Sequence, residues 1–330
     1  MAEQKVKIYV KTPARLHFGL IDLRGDLGRF FGGLGVGLSH PNVVLKVQQS
    51  NRFSVTGEKP SLTKSLVNRF LETYHITTNV DIYVKQTIPE HVGLGSGTQL
   101  ALAVATALAK LFHVKASIRE LAIAMGRGQR TGIGTAVFEQ GGFVVDGGKT
   151  VRNGSCLSES FSPLIFRHPF PEDWMFIVAI PNVKKGLAKD EETVAFRRLP
   201  PMPAEDVGKI CRLTMMMLLP SLLECDIESF GDALTQIQIV VGEYFAGVQG
   251  GRYSSLTATE GIELMQKRGA YGVGQSSWGP AFYGLVQGKE EAKEIQLALQ
   301  TFLKEKVGGQ VFITKANNRG AYIKITKQQV

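Results

Sequence analysis

From Ile88 to His113 the chain reads IPEHVGLGSGTQLALAVATALAKLFH. A proline enters, a glycine-rich loop follows from Gly93 to Gly97, and then come roughly four turns of alanine-rich, almost wholly apolar sequence. A helix apolar around most of its circumference belongs in the interior, so this one is expected to be central and buried. The pattern around it predicts strands at Val6 to Val10, Asn42 to Gln48 and Val80 to Gln86, with another beginning near Phe53 and Val55. Leu62, Leu66, Phe70 and Leu71 fall on one face of a helix spanning Leu62 to Tyr74. Ser117, with Glu120 three residues on, makes a capping box for a helix reaching Arg127. The stretch from Thr12 to Pro41 has poor periodicity, many glycines and a dense set of charges, and reads as a long irregular functional segment. RGQRTGIGTAVFEQGG, from Arg127 to Gly142, is a second glycine-rich turn that opens a short helix. Phe143 to Asp146 and Lys149 to Val151 are expected to pair across a turn at Asp146, Gly147 and Gly148.

A polar stretch near Gly154 to Pro171 marks a change in composition and suggests domains at 1–157 and 158–330. Beyond it the pattern gives a strand from Trp174 to Ile180 and helices at Ala204 to Leu219, Ile227 to Tyr244 and Leu256 to Arg268. Strands at Tyr271 to Gly274 and Ala281 to Val286 surround a loop from Gln275 to Pro280. A helix at Glu290 to Leu303 precedes two strands, Gln310 to Thr314 and Ala321 to Thr326, expected to pair with each other. Met215, Met216 and Met217 read as core filler. Strands mixed with helices in this half indicate an α+β layer.

The formal charge is +9, but the lysines and arginines are scattered without a basic run. That favours small substrates rich in phosphate or carboxylate, with no nucleic acid as partner. Cys156, Cys211 and Cys225 are odd in number and widely spaced, which suits a reducing cytoplasm and neither a zinc site nor a disulfide framework. The N-terminus lacks the apolar core of a signal peptide, and no apolar run is long enough to span a membrane.

The loop GLGSGT, from Gly93 to Thr98, is the strongest chemical signal. Glycines that let backbone approach a ligand, followed by the free N–H groups of a helix start, make an anion site. Neither the P-loop pattern nor a dinucleotide fingerprint is present there. PxxxGLGSxxxxxxA, from Pro89 to Ala103, resembles the phosphate-loop motif of the GHMP superfamily of small-molecule kinases. PARLHFGLID near the N-terminus and YGVGQSSWGPAFYGLV near the C-terminus resemble its first and third motifs. The resemblance implies a two-domain GHMP-kinase-like α+β fold. Its first domain would be like ribosomal protein S5 domain 2 and its second ferredoxin-like.

PARLHFGLIDLRG, FGGLGVGLSHP, RGQRTGIGTAVFEQGGFVVDGG and GQSSWGP are closer to one branch, the β-ribofuranosylaminobenzene 5′-phosphate synthases of methanopterin biosynthesis. That resemblance implies a decarboxylating phosphoribosyltransferase. It would join phosphoribosyl pyrophosphate to 4-aminobenzoate or 4-hydroxybenzoate with release of CO2 and pyrophosphate, using Mg2+ and acting as a cytoplasmic homodimer. The alternative is an ATP-dependent small-molecule kinase. Two positions argue against it: Gly134 stands where kinases of the superfamily carry an aspartate base, and Gly97 where they carry a second serine.

The chemistry nominates Arg15, His17 and Asp22 as catalytic residues. Gly93, Leu94, Gly95, Ser96, Gly97, Thr98, Arg127 and Arg130, with Gln275, Ser276 and Ser277, would bind phosphate or substrate, because guanidinium forks and backbone N–H groups suit both phosphate and carboxylate. Ser96 and Glu139 are the candidate metal ligands. Each has a plainer reading. His17 could be a core histidine between Leu16 and Phe18, Asp22 a turn cap, Glu139 a helix-end carboxylate, and Trp278 a domain-packing anchor rather than a stacking platform for the benzoate.

Overall fold

A computed structural model describes residues 4–152, 155–157, 160–184, 186 and 189–329. The first half contains β1 (Gln4–Lys11), β2 (Ala14–Asp22), β3 (Arg29–Leu38), β4 (Val44–Gln49), β5 (Ser54–Gly57), α1 (Pro60–Thr73), β6 (Val80–Gln86) and α2 (Ser96–Leu111). There follow α3 (Ile118–Ala124), α4 (Ile133–Gln140), β7 (Phe143–Asp146), β8 (Lys149–Arg152), β9 (Ser155–Cys156) and β10 (Leu164–His168). The second half has β11 (Trp174–Pro181), α5 (Lys189–Arg198), α6 (Ala204–Leu213), a π-helical turn (Thr214–Leu218), α7 (Leu219–Glu224), α8 (Ile227–Gln249) and α9 (Leu256–Lys267). It closes with β12 (Gly272–Gln275), β13 (Phe282–Gln287), α10 (Lys289–Lys306), β14 (Gly309–Lys315) and β15 (Tyr322–Gln329).

Three sheets result. The first has the order β15-β1-β4-β6-β5, antiparallel except for the β5–β6 pair. In β1, β4 and β6 the inward positions Ile8, Val10, Leu45, Val47, Ile82 and Val84 are all buried, which is the period-two pattern of a half-buried sheet. The sheet packs on α2, whose residues from Gln99 to Ala109 are all buried, as the apolar sequence requires. The second sheet is built on β3, with β2 along one side and β7 and β8 end to end along the other. The third, β12-β13-β11-β14, is antiparallel. With α8 and α9 before β12 and α10 before β14, its chain order is that of a ferredoxin-like layer.

The segment expected to be irregular is instead a long hairpin, β2–β3. Its alternation is hidden because β3, RFFGGLGVGL, is buried along most of its length, so glycines replace the outward polar residues that would mark a strand. A Cβ at Gly35 would lie 2.6 Å from the Leu16 carbonyl oxygen and 2.7 Å from Ile133. Two expected pairings are also replaced. β7 and β8 do not pair with each other; Asp146 pairs with Gly33, and Lys149 with Phe30. β14 and β15 likewise part company: β14 pairs with β11, and β15 crosses back to β1.

A single cut after Leu157 therefore does not separate the sheets, since β10 joins β7 and β15 joins β1. Ser158, on the far side of that cut, lies outside the described residues. Phe18 of β2 sits where the halves meet, its ring 6.1 Å from Phe143, 6.0 Å from Phe176 and 5.3 Å from Tyr283. Of the three methionines, only Met217 packs against the core; Met215 and Met216 are exposed on the π-helical turn. The three cysteines are free. Among the described residues no helix is long and apolar enough to cross a membrane.

Candidate active site

The loop between β6 and α2 turns through glycines in left-handed conformations, Gly93 at φ 86° and Gly95 at φ 79°. Gly95 caps α2, and no acidic residue occupies the first turn of the helix. The positive end of a 16-residue helix dipole thus meets no acidic side chain from its own first turn.

The three separated motifs meet at this loop. The Arg15 N–H donates to the Leu94 carbonyl at 3.1 Å, and Arg15 Nη1 donates to the Gly93 carbonyl. The Ser276 hydroxyl donates to the same carbonyl at 2.6 Å and accepts from the His17 N–H at 2.9 Å. Gly93 has no room for a side chain: a Cβ there would lie 2.1 Å from the Ser276 carbonyl oxygen. Gln238, on α8, extends the joint. Its Nε2 donates to the Phe18 carbonyl at 2.5 Å, and its Oε1 accepts from the Gln275 N–H at 2.8 Å.

A cleft of about 450 Å³ opens from the loop. Arg15, His17, Gly93, Gly95, Ser96, Gly97 and Thr98 line it on one side. Arg127, Arg130, Gln275 and Ser277 line the remainder, so most of the expected set is brought together. Arg127 lies against the loop, its Nη1 3.3 Å from where a Cβ on Gly97 would be. Its Nε is buried with no hydrogen-bond partner among the described residues, and burial, with Arg69 nearby, lowers its pKa. An arginine so placed beside a helix start is suited to an anion. Burial brings the Arg15 guanidinium down to about 10, against the opposing charge of Glu192, so it stays protonated at neutral pH. Burial, and then the Arg15 charge, push His17 down to about 3. His17 is therefore a neutral imidazole, and its Nδ1 accepts from the Gly19 N–H at 3.3 Å.

Four expected residues stand elsewhere. Asp22 is outside the cleft wall; its Oδ1 accepts from the N–H groups of Arg24 and Gly25 at 2.8 and 2.9 Å, which is the turn-capping role. Glu139 is exposed near the end of α4 and does not line the cleft. The Leu94 side chain is buried, and only its backbone joins the site. Ser276 is fully buried and ties motifs together without facing the cleft. Gln275 does line the cleft, yet its amide is engaged: Oε1 accepts from the Ser254 N–H and Nε2 donates to the Ser277 carbonyl.

The cleft also contains residues with no signal in the sequence pattern. Glu192 and Phe196 come from α5, whose sequence KDEETVAFRR is strongly polar. Glu192 pairs with Arg130, whose guanidinium lies 5.2 Å over the Phe196 ring. Phe245 of α8 is a third such residue, packed against the sequence-flagged Trp278 with ring centroids 4.8 Å apart. Only the spacing of Glu192 and Phe196, four apart on one helix face, could have paired them in advance. Among the described residues no group of three His, Cys, Asp or Glu side chains is placed to share a metal ion.

This fold, with its loop at the start of a buried helix, defines a GHMP-kinase class of protein. Residues 61–142 match the GHMP kinases N terminal domain and residues 218–305 the GHMP kinases C terminal domain. A homoserine kinase structure from Cytophaga hutchinsonii superposes with a TM-score of 0.69 at 19% identity, covering 96% of this chain and 97% of that one. Two relatives are more specific. Beta-ribofuranosylphenol 5′-phosphate synthase from Methanothermobacter thermautotrophicus is 34% identical, over 96% of this chain and 99% of its own length. The Archaeoglobus fulgidus protein of the same name is 36% identical with the same coverage. The chain belongs to the β-ribofuranosylphenol 5′-phosphate synthase family.

Proposed function

We propose that the protein joins phosphoribosyl pyrophosphate to a 4-substituted benzoate, releasing CO2 and pyrophosphate and leaving a C-riboside 5′-phosphate. Because the names of the relatives specify a phenol product, 4-hydroxybenzoate is the preferred acceptor over 4-aminobenzoate. The observation that carries the reading is at Gly134. A kinase of this superfamily would place its aspartate base there. Here a Cβ on Gly134 would meet Thr98 Cγ2 at 3.1 Å, so the two helices close over the position. The phosphate cradle is kept while the hydroxyl-activating base is absent, as suits a carbon nucleophile.

The residues divide the work by charge. The loop N–H groups, the start of α2 and the Arg127 guanidinium receive the pyrophosphate and hold the charge that builds as it leaves. Arg15, fixed to the loop at Gly93, faces the cleft as a second cation for the 5′-phosphate or the acceptor carboxylate. Neutral His17, its Nδ1 accepting from the Gly19 N–H, adds no positive charge to the cleft at neutral pH.

The oxygen donors facing the loop fit a magnesium ion that arrives with its phosphate ligand. The carboxylates of Glu90 and Glu192 are paired with Lys59 and Arg130, whereas Ser96 and Thr98 line the cleft. Ser96 and Thr98 would hold the ion together with the diphosphate oxygens, a small protein share that suits magnesium. Bound there, it would offset the charge of the leaving pyrophosphate.

The test is direct. Incubation with phosphoribosyl pyrophosphate, Mg2+ and 4-hydroxybenzoate is expected to release CO2 and pyrophosphate in equal amounts. Folded protein that yields neither with either benzoate, or that instead converts ATP to ADP with a hydroxylated metabolite, would overturn the reading.

A further inference from the structure

The cleft has two chemically different ends. One is the cationic loop. The other is an aromatic corner, with the Arg130 guanidinium 5.2 Å over one of its rings, that of Phe196. Phe196 lies 5.7 Å from Trp278 and Phe245 4.8 Å from Trp278, with Phe196 and Phe245 themselves 5.7 Å apart. All three pairs are edge-on, so the corner is a preformed apolar notch with rings at steep mutual angles. They come from three elements: Phe196 from α5, Phe245 from α8, and Trp278 from the loop after β12. α5 places Glu192 one turn before Phe196, at the rim of the notch.

Such a notch could serve only packing. Two observations point further. Trp278 and Phe196 remain partly open to the cleft, and a carboxylate stands beside them in a cleft otherwise dominated by Arg15, Arg127 and Arg130. Glu192 keeps its Oε2 on Arg130, and its other oxygen can accept a hydrogen bond from a neutral donor.

Building on the proposed function, we infer that Phe196, Phe245 and Trp278 form the subsite for the acceptor ring, with Glu192 accepting the hydrogen bond of its 4-hydroxyl and holding that proton during attack. The ring carbon bearing the carboxylate attacks the anomeric carbon, and the C–O bond to pyrophosphate breaks with its electron pair leaving on oxygen. As the new C–C bond forms, the hydroxyl proton passes to Glu192 and the oxygen becomes a ring carbonyl. The bond to the carboxylate then breaks, CO2 departs, and its electron pair restores the aromatic ring as a phenolate. The phenolate recovers the proton from Glu192. No oxidant or further reactant is needed.

Burial and three charged groups set the proton affinity of Glu192. Burial raises it; the charges of Arg130, Arg15 and His91, which face it from the turn before α4, from β2 and from the phosphate loop, lower it, and burial is the larger effect. A carboxylate held above its usual range is the better proton acceptor.

The experiment compares Glu192→Gln, Trp278→Phe and Trp278→Ala with the parent enzyme, with phosphoribosyl pyrophosphate and 4-hydroxybenzoate varied separately. Glu192→Gln is expected to lower kcat about a hundredfold and to remove the acid limb of its pH profile, leaving the phosphoribosyl pyrophosphate KM within about twofold. Trp278→Ala is expected to raise the 4-hydroxybenzoate KM about tenfold with little change for the phosphate substrate. A binding readout avoids turnover altogether. 4-Hydroxybenzoate is expected to quench the tryptophan emission of the parent and not that of Trp278→Phe, in which only the core residue Trp174 remains. An active parent whose variants keep the parental KM values, pH profile and quenching would overturn the subsite while leaving the proposed function standing. A folded parent inactive with both benzoates would instead overturn the function.

Discussion

At the scale of single residues, Asp146 and Gly97 are the informative cases. Asp146 lies at the end of β7, and its carboxylate accepts from the Gly132 N–H at 2.8 Å and the Gly148 N–H at 2.9 Å. It thereby sets the start of α4 and the turn into β8. Burial raises its pKa to about 6 against the hydrogen bonds that lower it. The folded chain thus keeps a proton there that the unfolded chain gives up near pH 4. The corresponding stabilisation is fully present below about pH 4 and lost as pH rises through about 6. Asp146→Asn is expected to flatten that part of a Tm-against-pH profile. It should also lower stability by about 1–3 kcal/mol at neutral pH, because its amide offers one acceptor to two backbone donors. Gly97→Ser is expected to push Arg127 from the loop and raise the KM for phosphoribosyl pyrophosphate about tenfold, with kcat less affected. Unchanged KM would mean that Arg127 does not hold the pyrophosphate. Arg15, His17, Arg127 and Arg130 were legible in the sequence because they fall inside dense glycine-rich motifs. Glu192 and Phe196 were not, since α5 has the composition of a solvated helix and acquires a cleft face only from its tertiary position.

At the scale of elements, the joint between the loop, β2 and the turn after β12 controls the site. Ser276→Ala removes a donor to Gly93 and the acceptor of the buried His17 N–H. A cost of about 1–3 kcal/mol is expected, readable as a lower denaturation midpoint, with kcat/KM for the phosphate substrate falling further than kcat. Local signals fixed most elements well. The capping box at Ser117 forms as read, with the Ser117 side chain accepting from the Glu120 N–H, and α2 is buried as its composition demanded. The failures share one cause: pairing partners are set by burial and topology beyond the reach of local pattern. The glycines of β3 read as loop because they leave space for Leu16 and Ile133, and the β7–β8 turn read as a hairpin because β3, the true partner of both, lies more than 100 residues away.

At the scale of the whole molecule, the three sheets are completed by strands that return from later in the chain. β15 supplies the edge strand beside β1, and β10 the edge beside β7. Truncation after Gly320 is expected to bare the β1 edge, lower Tm and promote aggregation measurable by light scattering. A fragment of residues 1–157 lacks both returning strands and is expected to be insoluble by the same reasoning. The polar stretch between the halves suggested a single cut, and the returns that cross it were not legible, because nothing in an alternating strand names its neighbour.

The Ser276 hydroxyl, hydrogen-bonded to a carbonyl 183 positions earlier, also bears on how the protein is made. On the ribosome the loop emerges long before its clasp. At about 5–20 residues per second, roughly 10 to 40 seconds separate the two. Throughout that interval the nascent chain holds the whole glycine-rich loop without the joint that shapes it. The loop therefore gains its clasp only after the motif around Ser276 has left the exit tunnel, and β15 must still follow to close the sheet at β1.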